Sequence, residues 1–132
     1  MGLLEILFLY IAFRAKQLTC DFFLQTTWMA LDKTKPLRGG GALPLVCHAG
    51  VHALFTFGIT LIFAPHFWWL APVDFVVHAC IDKTKALLEN KAGWKYEDYK
   101  YWWMLGVDQE AHNFTHLAYI ILIVLDAGTP LY

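Results

Sequence analysis

The chain has 132 residues, of which 58% are hydrophobic and 16% charged, and its mean hydropathy is +0.46. A water-soluble domain carries about 25% charged residues and 45–50% apolar ones, so composition excludes an ordinary soluble globule and points to an integral membrane protein. A net charge of −1 and a pI near 6.6 exclude nucleic acid as a partner, which would need a clustered basic surface.

The length fits one domain, residues 1–132. In the first ten residues Glu5 is the only charged side chain, and no basic start precedes the apolar run, so this segment is expected to be retained rather than cleaved as a signal. About 20 mostly apolar residues cross a bilayer as a helix. Four stretches fit that template, at about 3–30, 42–64, 68–88 and 102–125, predicting an all-α, four-helix transmembrane bundle. Between them lie a Lys/Gly/Pro hinge, a Pro-bounded aromatic turn and a charged aromatic loop. Cys20, Cys47 and Cys80 show no CxxC spacing and read as small apolar packing residues.

Short cytoplasmic loops carry the excess of lysine and arginine. Lys33, Lys35 and Arg38 follow the first stretch, and Lys83, Lys85, Lys91, Lys95 and Lys100 end or follow the third, whereas the second connection has none. Both basic loops are therefore expected to be cytoplasmic, with the N- and C-termini on the non-cytoplasmic side. All six tryptophans fall near the predicted span ends, where indole prefers the headgroup region.

Ionisable groups inside a span cost about 2.5–3.5 kcal/mol each on insertion scales, and this chain keeps many. Gln17, Asp21 and Gln25, His48 and His52, His78 and Asp82, and Asp108, His112 and His116 are each spaced by four, which places each set on one helix face. With alternating span directions, the pairs Asp21/Gln25, His48/His52, His78/Asp82 and Asp108/His112 all reach the cytoplasmic half. Four polar stripes at one depth are hidden from lipid if the helices bundle with the stripes inward. Imidazole and carboxylate together suit zinc first, with manganese or iron as alternatives, and bundles build metal sites from inward residues three or four apart. The candidate ligands are His48, His52, His78, Asp82, Asp108 and His112, with Asp21 a ligand or an acceptor that orients an imidazole. These exceed what one tetrahedral ion needs: either two ions sit close together or about half of the residues act from behind.

The segments DFFLQTTWMALDK (21–33), HAGVH (48–52), HACIDKTK (78–85) and DQEAH (108–112) resemble the small bacterial and phage membrane proteins grouped as the domain of unknown function 3307 family. The resemblance covers nearly the whole chain and implies a bacterial integral membrane protein of the cytoplasmic (inner) membrane, without an assigned activity. A fainter similarity to membrane-bound metal-dependent hydrolases implies a hydrolytic role.

Simpler readings stand beside these. His116 and His66 suit helix-to-helix hydrogen bonds or plain exposure, Asp82 an ion pair with Lys83 or Lys85, Asp108 the favourable field of a helix N-terminus, and Asp21 an ion pair with Arg14 or Lys16. Three functions follow as expectations. The first is a metal-dependent hydrolase acting on a lipid or lipid-linked phosphate or acyl group, with Asp21 or Asp108 as general base and Lys85 steadying developing negative charge. The second is a proton or electron carrier, with haem between paired histidines as one form. The third is a noncatalytic subunit of a larger membrane complex or homo-oligomer.

Overall fold

The computed structural model describes residues 1–128, and the last four residues, including the C-terminus, lie outside the described residues. Five α-helices carry the fold: α1 (Leu3–Leu18), α2 (Thr27–Asp32), α3 (Ala42–Phe63), α4 (Leu70–Ala92) and α5 (Tyr99–Gly128). No strand occurs among the described residues.

The first predicted span, 3–30, is not one helix. After α1 the backbone widens into a π-helical turn over Thr19–Phe23, closed by a Leu24 N–H to Thr19 carbonyl bond of 2.9 Å. The chain restarts at α2, whose N-terminus is capped by the Thr26 hydroxyl accepting from the Met29 N–H. Neither Gly nor Pro marks this break, so sequence pattern runs straight through it.

The other three spans correspond to α3, α4 and α5, with the last two running past their expected ends. Gly40 and Gly41 set the start of α3. Gly40 is left-handed at φ +96, and a Cβ on Gly41 would lie 2.2 Å from the Lys35 carbonyl oxygen. Pro65 ends α3, and Gly93 at φ +69 ends α4 with its N–H on the Glu89 carbonyl.

The four long helices form a closed ring: α1 packs on α3 and α5, and α4 packs on the same two, while α2 lies against α3. Short connections make neighbours antiparallel. The start of α1, the α3–α4 turn and the end of α5 therefore share one end of the bundle, where His66 Nε2 meets Asp126 Oδ2 at 2.7 Å. That end is filled by apolar side chains, including Leu9, Phe13, Ile59, Leu70, Ile120 and Ile123.

Moving along the axis, the buried residues become polar. Lys16 on α1 and Asp74 on α4, each 1% exposed, pair at 2.5 Å. Thr56 donates its hydroxyl to the same Asp74 oxygen at 2.7 Å, and His116 Nε2 lies 3.0 Å from the ammonium. Lys16 thus pairs with Asp74 rather than Asp21, and His116 belongs to this helix-joining cluster. The outer faces are the reverse: Leu54, Ile62, Val76, Phe114 and Leu125 are among many large apolar side chains left exposed.

Among the described residues, α3 alone is long and apolar enough by composition to cross a membrane. The lengths of α4 and α5 suffice, at 23 and 30 residues, but their inward Asp and His residues and their charged ends lower their hydropathy.

Breaking a buried ion pair from one side costs about 3–5 kcal/mol, whereas replacing both partners with apolar groups is often neutral. Asp74→Ala is therefore expected to lower the thermal midpoint of the purified protein sharply, and Lys16→Met combined with Asp74→Leu to recover most of the loss. Equal destabilisation by the single and paired substitutions would count against this role.

Candidate metal centre

One turn past the Lys16 cluster, the stripes of all four long helices meet. Asp21 enters from the π-helical turn. Its Oδ2 accepts from the amides of Gln17 and Gln109, each at 2.7 Å, which leaves Oδ1 facing His52 Nε2 at 3.0 Å and His48 Nε2 at 3.3 Å. Two amide donors fix the carboxylate as an acceptor and aim its other oxygen at the imidazoles.

Asp82 enters from α4 and lies opposite. Its Oδ2 stands 3.4 Å from His48 Nε2 and 3.6 Å from His78 Nε2, while Oδ1 stands 3.4 Å from His112 Nε2. Asp108, one turn before His112 on α5, places Oδ1 3.7 Å from His112 Nε2. The rings stack through the axis, with His52 and His78 centroids 3.7 Å apart and His78 and His112 centroids 4.1 Å apart. Rings this close leave no gap for a haem macrocycle between them.

All four imidazoles are at most 2% exposed. Yet His48 Nε2, His52 Nδ1, both nitrogens of His78 and Asp108 Oδ1 have no hydrogen-bond partner. A buried polar atom left without a partner costs about 1–3 kcal/mol, so five at one place need an explanation. Zinc–nitrogen bonds of about 2.0–2.1 Å imply ligand-to-ligand edges of about 3.3–3.4 Å in a tetrahedron. Three of the six nitrogen-to-oxygen separations, at 3.3–3.4 Å, match such edges, and all six are longer than a charge-assisted hydrogen bond of about 2.7–2.9 Å. The donor set therefore fits a divalent ion, and Asp21, His48, His52 and His78 have donor atoms lying within 4.8 Å of one another.

The expected ligands His48, His52, His78, Asp82, Asp108 and His112 are thus brought together with Asp21. Lys85 reaches the rim, 3.6 Å from Asp108 Oδ2 and 4.0 Å from Glu89. The lysine partner of Asp82 is neither Lys83 nor Lys85 but Lys33, which bonds Asp82 Oδ2 at 2.7 Å and Gln25 at 2.8 Å. Lys83 instead donates to the Lys33 and Lys35 carbonyls. A cleft of about 180 Å³ opens here between Gln25, Lys33, Lys85, Tyr101 and Asp108.

Sequence reasoning missed Lys33 as a partner of the centre, the Gln17–Asp21–Gln109 clamp and the Lys16–Asp74 pair. Spacing offered a signal for part of this. Asp74, His78 and Asp82 are each four apart, and Thr56 lies one turn beyond His52, so two stripes extend further along the axis than the histidines alone suggest.

No curated protein and no solved structure matches the chain. The profile of one family, described as proteins of unknown function DUF3307, matches residues 8–130. Nearly the whole chain lies within that match, and the protein belongs to the DUF3307 family.

Proposed function

We propose that this chain is a metal-binding protein embedded in the bacterial inner membrane, and that it acts as a metal-dependent hydrolase on a lipid or lipid-linked phosphate or acyl group at the cytoplasmic leaflet. The observation that carries the metal reading is the set of buried imidazole nitrogens without partners, facing two carboxylates at coordination-edge distances.

The membrane reading, with α1 and its π-helical turn, α3, α4 and α5 as the four spans, rests on the inverted distribution of side chains. Asp, His and Lys fill the axis while Leu, Phe and Val cover the outside, which is costly in water and favourable in lipid. Trp68 and Trp69 at one end, and Trp28, Trp102 and Trp103 at the other, are exposed where headgroups would lie. Lys33, Lys83, Lys85 and Lys91 gather at the end carrying the centre, favouring that end as cytoplasmic. His48 is six residues into α3, about 9 Å at 1.5 Å per residue, a depth suited to a headgroup ester.

A divalent ion lowers the pKa of its water towards about 7 and polarises a phosphoryl or acyl oxygen; zinc is the first expectation, manganese or iron the alternatives. Asp21 is held by two amides and suits a ligand. Asp108, with one oxygen unpartnered at the cleft, suits the general base, and Lys85 beside it suits the developing negative charge. A transmembrane proton relay is disfavoured because the apolar cluster around Leu9, Phe13 and Leu70 closes the axis beyond Asp74.

A second reading is favoured by one feature. Arg14 and Glu110 are exposed on the bundle flank and line a recess of about 250 Å³ between α1 and α5. Charges facing lipid suit a neighbouring subunit in a homo-oligomer or larger complex, and such an assembly is compatible with metal binding.

His48→Ala and His78→Ala are each expected to reduce the metal recovered with the purified protein, measured by elemental mass spectrometry. Unchanged metal content in both would refute the centre. Asp108→Asn is expected to keep metal while lowering turnover of a lipid-phosphate substrate about 10²–10⁴-fold, and full turnover would remove Asp108 as the base.

A further inference from the structure

We propose that the centre holds two divalent ions bridged by the Asp82 carboxylate, and that the ion pair with Lys33 and Lys85 at its mouth receives a tetrahedral phosphate group. This rests on the metal reading above and fixes its ion count and substrate class.

The ligand atoms do not surround a single point. They form two sets, each within 4.8 Å: Asp21, His48, His52 and His78 in one, and His78, Asp82 and His112 in the other. The His52 and His112 ring centroids are 6.4 Å apart with His78 stacked on both, so these three imidazoles form a row, with Asp21 and His48 in the donor set at one end and Asp82 and His112 in the set at the other.

Asp82 joins the two ends of that row. Its Oδ2 looks towards His48 and His78 and its Oδ1 towards His112. A carboxylate divided this way spans ions about 3.5–4 Å apart, the spacing of two-metal hydrolytic sites. Lys33 also bonds Oδ2, and a carboxylate oxygen has two lone pairs, so the ammonium and an ion share it without exclusion.

Charge and access favour phosphate over an acyl carbonyl. Two divalent ions carry four positive charges against the four carboxylates of Asp21, Asp82, Asp108 and Glu89. Lys33 and Lys85 add two more at the cleft, so the opening attracts an anion. A two-ion clamp holds both the attacking and the leaving oxygen of an in-line displacement, and lysine ammonium is an established phosphate binder. In the reaction, the oxygen of water bonds to phosphorus and the phosphorus–oxygen bond to the alcohol breaks. Asp108 takes the proton of the water and returns it to the departing alcohol oxygen, with no oxidant or reductant.

The test uses the full chain in detergent, loaded with excess Zn²⁺ or Mn²⁺ and freed of loose ions, with metal per chain read by elemental mass spectrometry and ion coupling by electron paramagnetic resonance of the Mn²⁺ form. Two ions per chain with a coupled Mn²⁺ spectrum are expected. His52→Ala and His112→Ala should each retain one ion and lose the coupling, and His112→Asn, which keeps the site filled, should do the same where alanine fails to fold. One ion per wild-type chain overturns the pair and leaves the metal reading intact, whereas none overturns both. Two ions that survive His112→Asn overturn the bridge. Inorganic phosphate is expected to bind the loaded protein by calorimetry, about tenfold more weakly in Lys85→Met than in wild type. No binding, or equal binding, overturns the phosphate assignment.

Discussion

A carboxylate drawn out of water into a helix bundle must be compensated on every side, and Asp82 is compensated from three helices and a hinge. His48 comes from α3, His78 from its own helix and His112 from α5. Lys33, beyond α2, closes the remaining side at 2.7 Å. Each of these groups is itself costly to bury, so none is accounted for alone. The arrangement of the helices follows from this mutual need: α1, α3, α4 and α5 must present their polar faces to one axis, and a closed ring of four does so.

The axis is layered. Apolar side chains fill the end near the α3–α4 turn, the Lys16–Asp74–Thr56 cluster follows, then the imidazole and carboxylate layer, and finally the cleft with Lys85. Steps of four residues along α3, α4 and α5 generate the polar layers, because a helix returns to nearly the same face each turn. His48, His52 and Thr56 on one helix, Asp82, His78 and Asp74 on the next, and Asp108, His112 and His116 on the third run in parallel rows. The polar rows and the apolar exterior are two outcomes of the same periodicity, read on opposite faces.

That periodicity made much of the centre legible in advance. The spacing of four in HAGVH, HACID and DQEAH, combined with alternating helix direction, placed the histidines and aspartates together without coordinates. What spacing does not encode is which distant side chain completes each pair. Lys16 finds Asp74, 58 residues away, and Lys33 finds Asp82, 49 residues away, because the bundle sets α1 across its axis from α4 and brings the hinge after α2 beside α4. The break after Leu18 was equally silent. The residues CDFFLQTT carry no helix breaker, and the widened turn there answers to the clamp of Gln17 and Gln109 on Asp21 rather than to local preference.

That widened turn acts as a register device. Leu9, Phe13, Lys16, Gln17 and Cys20 keep the ordinary helical phase against the rest of the core, Asp21 still meets Gln17 one turn back, and the extra residue accommodated over Thr19–Phe23 turns the chain that follows. One residue of an α-helix corresponds to about 100° of rotation. A chain one residue shorter in this stretch would turn the segment that carries Gln25 and Lys33 to Asp82 by about that angle. The length of this segment is therefore as much a part of its chemistry as the identity of its aspartate.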